Sequence, residues 1–429
     1  MKLVIAGGGG FRVPQVLRAL TRAPFLDDIT LYDIDPARLE VMRAVAEQFG
    51  LNLPITTQTD LHRAVSGANF VFSAMRIGGT CGRVTDERVA LERGVLGQET
   101  VGVGGYAYAL RTIGPALDLA GAVHEANPDA WIINFTNPAG IITQAMRTVH
   151  PNSVGICDTP IGLVRKVCRI LGVDEAEASY DYVGLNHLGW LRTLRVDGRD
   201  LLPSFIASPE LSCLEEARII GEDWVRCLGM LPNEYLFYYY SARESLAAVS
   251  EGETRGEFLH RQQAGFYASA EADLSRAGQL WTRAHHEREE TYMAEARSGE
   301  ERAEEDMGGG YENVALDLMT ALATGQPARM ILGVPNEQMI PALGPDAIIE
   351  VPTRVDASGL HPQPPGPLDG PELGLVTSVK ACEELIIDAA LSSSRELAWR
   401  ALATHPLVDS TRVARRILAE YEKRHGLFD

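Results

Sequence analysis

Lys2-Leu3-Val4-Ile5-Ala6, followed at once by Gly7-Gly8-Gly9-Gly10, decides the fold. The first five residues form a short, β-branched apolar run that reads as a buried strand. Pro14 then opens a helical pattern through Val16, Leu17 and Leu20. Glycines between a strand and a helix permit a tight turn and let the backbone approach a pyrophosphate. The helix N-terminus adds unpaired N–H donors and partial positive charge. The spacing is not a clean G-x-G-x-x-G, so the run alone is a weak fingerprint. Asp33 strengthens it: an acid closing the second strand, read at 29–33, sits where the ribose of NAD rather than NADP is recognised.

Outward from this point, further apolar strands read at 69–75, 131–134 and 154–157, with helical segments between them. Strands alternating with helices over the first ~190 residues indicate a Rossmann-type, doubly wound parallel sheet. Beyond Trp190 helical patterns dominate, at 211–229, 253–298 and 311–324, with short strand-like pieces near 330–332 and 348–351. The Pro- and Gly-rich run 361–371 reads as a surface loop, and helices at 378–392 and 411–425 close the chain. The acidic run 300–306 reads as a solvated helix face. The expectation is an α/β fold in two parts: residues 1–190 as an NAD-binding domain, and residues 191–429 as a mainly helical α+β domain for substrate and subunit contacts.

A chain of 429 residues exceeds one ordinary core, which agrees with two packed parts. The net charge of −19 argues against nucleic acid, which is held by surplus Lys and Arg. An anionic substrate would need a local Arg cluster working against the overall field. The six cysteines are scattered without a C-x-x-C pair, which reads as reduced thiols in a cytoplasmic protein. No stretch approaches a membrane span, and the N-terminal apolar run is too short for a signal-peptide core.

Three segments carry candidate chemistry. In Asn134-Phe135-Thr136-Asn137-Pro138-Ala139-Gly140, Pro138 reads as the first residue of a helix and Asn137 as its cap. Gly155-Ile156-Cys157-Asp158-Thr159-Pro160 places Cys157 and Asp158 at the carboxyl edge of the sheet, where ligands of open α/β sheets bind. Gly184-Leu185-Asn186-His187-Leu188-Gly189-Trp190 adds an imidazole. Taken singly, a capping Asn, a buried thiol and a hydrogen-bonding His are the ordinary readings. Together, one thiolate and one imidazole make a partial coordination sphere for a divalent metal, with positions open for substrate oxygens. His285-His286, on a polar helix, reads as solvated surface rather than a second metal site.

In this order, the segments resemble glycoside hydrolase family 4. The resemblance covers the whole chain and includes the glycine run, Arg76 to Arg83, Gly97-Gln98-Glu99-Thr100, the Asn-Pro-Ala segment, Cys157-Asp158, Asn186-His187, and Tyr235 followed by Arg255. It implies an NAD-dependent glycosidase, an exception to two-carboxylate hydrolysis, acting on (6-phospho-)β-glucosides and forming a homo-oligomer. It further implies that Cys157 and His187 hold the metal, usually manganese, and that Arg83, Asn137 and Arg255 bind substrate. Asp158 matches a proposed proton donor, and Tyr235 the base of the glucosidase members. The implied reaction is oxidation at C3, proton loss at C2, expulsion of the aglycone, water addition and re-reduction. For a 6-phosphate, Arg12, Arg76, Arg83 and Arg88 are the cations near the sheet edge. Where familiar members carry Ser and Thr, this chain has Gly10-Phe11-Arg12-Val13-Pro14.

Other readings are a relative acting on α-glucosides or α-galactosides, a 2-hydroxy-acid dehydrogenase, and a catalytically silent NAD or sugar sensor. The tyrosine segment favours β-glucosides. A dehydrogenase would need a His–Asp relay instead of a thiolate ligand, and would release NADH with turnover.

Overall fold

In the computed structural model, which describes residues 1–51, 53–297 and 310–428, one continuous sheet organises the chain. The acidic run at 300–306 lies outside the described residues. The parallel part comprises β1 (Lys2–Ala6), β2 (Asp28–Tyr32), β3 (Ile55–Gln58), β4 (Phe70–Ser73), β5 (Trp131–Asn134) and β6 (Ser153–Ile156). Their spatial order, β3-β2-β1-β4-β5-β6, is parallel throughout and is that of a doubly wound dinucleotide-binding sheet. The expected α/β architecture is therefore present. β1 shows why these residues make a central strand. Leu3 and Ile5 face one core and Val4 and Ala6 the other, all fully buried.

The second half of the chain extends the same sheet. A hairpin of β7 (Ser179–Leu185) and β8 (Leu188–Val196) is followed by β9 (Arg199–Asp200) and β10 (Leu231–Pro232). Then come β11 (Ala328–Pro335), β12 (Ile348–Asp356) and β13 (Gly359–Pro362). β11 and β12 are inserted antiparallel between β6 and β7. At the β6–β11 crossing, Gly155 and Gly333 are partners, and a Cβ on Gly333 would lie 3.2 Å from the Gly155 Cα.

Several sequence expectations shift. Strands read at 29–33 and 154–157 each begin and end one residue earlier, leaving Asp33 and Cys157 just past the carboxyl edge. The helix read over 211–229 is three short pieces, ending in Glu215–Ile220 and Glu222–Leu228, because Gly221 adopts φ 103 between them. The helix read over 253–298 is two, Arg255–Ala272 and Ala277–Glu290, parted where Asp273 turns extended and caps Ser275. The loop read over 361–371 is shortened at both ends by β13 and by the helix Gly370–Ser392. A helix not foreseen, Arg395–Thr404, packs beside Thr411–His425. Among the described residues no helix is long and apolar enough to cross a membrane, and all six cysteines are free.

Candidate active site

The glycine turn is built by close backbone approach. Gly7 and Gly8 both donate to the Tyr32 carbonyl, at 2.9 and 2.7 Å. A Cβ on Gly7, which has φ +84, would lie 2.6 Å from the Ala74 carbonyl oxygen; one on Gly8 would lie 2.8 Å from the Leu31 Cβ. Gly9 would meet Arg38, and Gly10 would meet the Gly7 carbonyl oxygen at 2.9 Å. The Gly9 N–H donates to the Asp33 carboxylate at 3.0 Å, joining the turn to the acid. Helices from the second half clamp the turn: the Tyr267 hydroxyl donates to Gly9 O at 2.7 Å, and the Trp281 indole to Phe11 O at 2.8 Å. A turn with no room for side chains, ending in a carboxylate, fits a dinucleotide pyrophosphate and ribose.

Beside it opens a cavity at the carboxyl edge, lined among others by Arg12, Arg76, Glu99, Asn137, Cys157, Asp158, His187, Glu234, Tyr235 and Tyr292. Five residues singled out in the sequence, Asn137, Cys157, Asp158, His187 and Tyr235, therefore share one space. Arg83 and Arg255 are not among its lining residues. Arg83, buried, bonds Glu87 at 2.7 Å and Glu99 from behind. Arg255 joins two helices through Thr291 and the Arg288 carbonyl. Arg88 pairs with Glu257 and with the Gly252 carbonyl, away from the cavity.

Asn137 does not cap the helix, which spans Ala139–Arg147 with Pro138 in the capping position after a cis peptide. The first helical amide, that of Ala139, donates to Asn186 Oδ1 at 3.2 Å. The Asn137 side chain donates to Phe135 O at 3.4 Å. The capping oxygen comes from the β7–β8 turn, which sequence order could not indicate.

That turn consists of Asn186 and His187, with His187 at φ 63. Its Nδ1 lies 2.9 Å from the Thr100 hydroxyl, leaving Nε2 as the remaining ring nitrogen. Burial pulls its pKa down to about 3, so it is a neutral imidazole with a lone pair to offer. Cys157 is buried with its sulfur 3.3 Å from the Thr159 hydroxyl. Burial, then Glu350 and Asp158, push its thiol well above the usual range. A desolvated thiol crowded by carboxylates, lining the same cavity as a neutral imidazole, would be stabilised as thiolate by a cation. The donor set fits a divalent metal. Among the described residues no three His, Cys, Asp or Glu side chains gather to hold one, so the protein would supply two donors and leave the other positions open.

Tyr235 lies in a short turn capped by Asn233, whose Oδ1 accepts from the Tyr235 amide at 3.1 Å while its Nδ2 donates to Thr159 at 2.7 Å. The turn is thereby tied to the segment carrying Cys157. The Tyr235 hydroxyl is 3.0 Å from that of Tyr292, which donates to Glu234 at 2.7 Å. Burial, then the Glu234 charge, raise the Tyr235 phenol above its ordinary pKa. Burial also raises Glu234, against the pull of Lys166. Lys166 itself pairs with Glu215 and Glu216 at 3.2 and 2.9 Å. This Glu234–Tyr292–Lys166 wall was not foreseen; its only local signal is the acid adjoining Tyr235. Burial raises Glu99 as well, but Arg76, Arg83 and Arg12 outweigh it and hold the carboxylate well below its usual range.

Of the neighbouring aromatics, Tyr238 is buried core and Tyr240 accepts from Trp190 at 2.9 Å. His286 is exposed as expected, but His285 is half-buried against Trp281, ring centroids 4.6 Å apart. The polar composition of that helix hid the one apolar neighbour that decides His285's setting.

A doubly wound sheet, a glycine turn ending in an acid and a thiol–imidazole–phenol cavity define a nucleotide-binding α/β protein with a reaction chamber at its carboxyl edge. The chain belongs to glycosyl hydrolase family 4. The family's sequence pattern matches residues 2–173, and that of its C-terminal domain residues 182–408. The chain is similar to maltose-6'-phosphate glucosidase of Bacillus subtilis, at 29% identity over 97% of this chain and 94% of the relative. It is also similar to 6-phospho-beta-glucosidase of Escherichia coli, at 28% over 99% and 96%. The crystal structure of the 6-phospho-beta glucosidase from Thermotoga maritima with manganese, NAD+ and glucose-6-phosphate superposes with a TM-score of 0.84. It is 25% identical, covering 99% of this chain and 98% of that one.

Proposed function

We propose that this protein is an NAD- and divalent-metal-dependent glycosidase that cleaves 6-phospho-β-glucosides. The observation that carries the reading is the meeting of Cys157, Asp158, His187 and Tyr235 on one cavity beside the glycine turn. Relatives of both anomeric types, and the Thermotoga maritima structure with manganese, NAD+ and glucose-6-phosphate, support the cofactors and the phosphorylated sugar.

Gly7, Gly8, Gly9 and Gly10 seat the pyrophosphate, and Asp33 receives the ribose hydroxyls. Cys157 and His187 would hold the metal, with Thr100 engaging His187 Nδ1 and leaving Nε2 as the nitrogen available to it. When bound, NAD+ supplies a hydride acceptor and the metal a Lewis acid. Tyr235 accepts the C2 proton of the sugar; its raised pKa makes it a strong base once nearby positive charge permits ionisation. Asp158 donates a proton to the departing oxygen and Asn137 hydrogen-bonds a sugar hydroxyl; Arg83, expected to bind substrate, acts through its ion pair with the cavity-lining Glu99, and Arg255, expected likewise, ties the helices behind the cavity. Residues 1–190 serve cofactor binding, and residues 191–429 contribute Tyr235, Arg255 and the contacts of a cytoplasmic homo-oligomer.

The test is turnover of paired phosphorylated and free glucosides of both anomers with NAD+ and Mn2+ in heavy water. The expected result is cleavage of the phosphorylated β-anomer with deuterium entering at C2 and no net NADH. Product retaining all its C2 protium would exclude the proton-abstraction route. Cleavage of the α-anomer alone would replace the β assignment.

A further inference from the structure

An anion entering this cavity meets Glu99, Asp158, Glu216, Glu234 and Glu289 on its walls, in a chain of net charge −19. It needs a fixed cation that is not already committed. Three cations line the cavity among the described residues: Arg12, Arg76 and Lys166. Lys166 is spent on Glu215 and Glu216, and Arg76 is paired with Glu99. No hydrogen bond or ion pair from the Arg12 guanidinium is found among the described residues; its recorded contacts are aromatic faces.

The side chain is nevertheless held in place. Phe135 and Tyr311 stack with centroids 4.3 Å apart and planes 12° from parallel. The Arg12 guanidinium carbon lies 5.2 Å from one ring centroid and 5.4 Å from the other. The Tyr311 hydroxyl donates to the Arg12 carbonyl at 3.0 Å, fastening the backbone to the same shelf. A guanidinium resting on aromatic rings loses little rotamer freedom on binding, while its N–H edge stays available as a planar fork for an oxyanion. A second buried guanidinium, Arg288, is disfavoured first by burial and then by the charges of Arg12 and Arg255, and its recorded carboxylate, Glu289, is 3.9 Å away. The nearby carboxylates Asp158, Glu99 and Glu289 attract the Arg12 guanidinium and keep it charged, and none of them is hydrogen-bonded to it among the described residues. Arg12 lines the cavity, whereas Gly7, Gly8, Gly9 and Gly10 are not among its lining residues.

We propose that Arg12 seats the phosphoryl group of the sugar substrate and sets the preference for phosphorylated over free glucosides. The inference rests on the glycosidase reading only for the identity of the sugar; the anion seat follows from the unpaired guanidinium.

The test uses the NAD-loaded protein and two variants, Arg12→Met, which keeps a stem on the aromatic shelf, and Arg12→Lys, which keeps the charge without the fork. Calorimetry measures binding of glucose 6-phosphate, glucose and inorganic phosphate, and a separate titration of the NAD-free protein measures NAD+. The expected result is a marked preference of the wild type for glucose 6-phosphate over glucose. Arg12→Met should weaken glucose 6-phosphate by between about 10- and 100-fold, the range for a lost charged hydrogen bond. Arg12→Lys should fall between the two, with glucose and NAD+ affinities within about twofold of wild type. Unchanged glucose 6-phosphate affinity in both variants overturns the proposal. So does a loss confined to NAD+, which would give the arginine to the cofactor pyrophosphate. A wild type that binds glucose 6-phosphate through Arg12 yet cleaves no glucoside sustains the seat and removes the glycosidase reading. One that cleaves free glucosides and ignores the phosphate does the reverse.

Discussion

The phenol of Tyr235 lies flat on the imidazole of His187, ring centroids 3.7 Å apart and planes within 8°. Because burial keeps His187 neutral, this is a contact between two uncharged rings and not a cation–π pair. It sets the phenol oxygen beside the donor set proposed for the metal, while Tyr292 holds that oxygen from the other side at 3.0 Å.

Tyr235→Phe keeps the stacking ring and removes only the hydroxyl. The melting temperature should stay within a few degrees of wild type, while kcat falls by about 10²- to 10⁴-fold, the span of general-base catalysis. C2 exchange in heavy water should vanish with it. Retained exchange in the variant would remove Tyr235 from the proton-transfer step.

Tyr292→Phe leaves the base in place but deletes the bridge between Tyr235 and Glu234. A loss in kcat of about tenfold is expected, as for one neutral hydrogen bond with its partner left unsatisfied. KM should change little if Tyr292 acts by orienting the base, since its hydroxyl is engaged by Tyr235 and Glu234. A variant whose only defect is in KM would contradict this.

Thr100→Val deprives His187 Nδ1 of its 2.9 Å partner. Partners that orient a ligating imidazole are worth about 10- to 100-fold in metal affinity. Equilibrium dialysis against Mn2+ should show a loss in that range, with NAD+ binding intact. Unaltered Mn2+ affinity would mean that the imidazole is oriented by something else.

Glu350 gives a pH signature. Its carboxyl is buried, accepts from Asn186 at 3.0 Å, and leaves its other oxygen without a partner. Burial pushes its pKa up to about 8, against the Asn186 bond. A carboxyl raised above its unfolded value of about 4.3 favours the folded state while protonated. That contribution is complete below the unfolded pKa and is lost as pH rises through the folded one. In the metal-free protein, the gain in melting temperature from Glu350→Gln should grow from pH 5 and level off above about pH 8. A gain that does not vary with pH would show the carboxylate already ionised at pH 5.

Gly8→Ala would drive a Cβ to 2.8 Å from the Leu31 Cβ and 2.9 Å from its Cα, displacing β2. The cost is about 1–3 kcal/mol, as for other overpacked sites, accompanied by weaker NAD+ binding. Gly265→Ala, in the helix Arg255–Ala272 with open space around it, should instead be neutral or stabilising by up to about 1 kcal/mol. Equal effects from the two substitutions would show that steric closeness at the turn is not what selects glycine.

What the sequence displayed was local. The β1 run, the four glycines and Asp33 form one uninterrupted pattern, and the helices Tyr311–Thr324 and Thr411–His425 carry an uninterrupted apolar stripe. The cavity residues 157, 158, 187 and 235 could be named because each sits in a recognisable motif, not because spacing shows where their side chains meet. What stayed hidden depends on distant partners. The β7–β8 turn has no glycine to announce it, and Ala139 takes its cap from a residue 47 positions away. The Lys166–Glu216 pair spans 50 positions, and the Tyr292–Glu234 bond 58. Whether Arg12 is free or paired is likewise a fact of assembled geometry, which its place after a glycine run does not disclose.

The insertion of β11 and β12 between β6 and β7 has a bearing on how the molecule comes into being. Cys157 follows β6 and His187 turns β7 into β8, so both side chains leave the ribosome well before the chain is complete. The two strands that set their separation end at residue 356. A nascent chain can thus shape its nucleotide cradle long before the thiol and the imidazole acquire their final spacing.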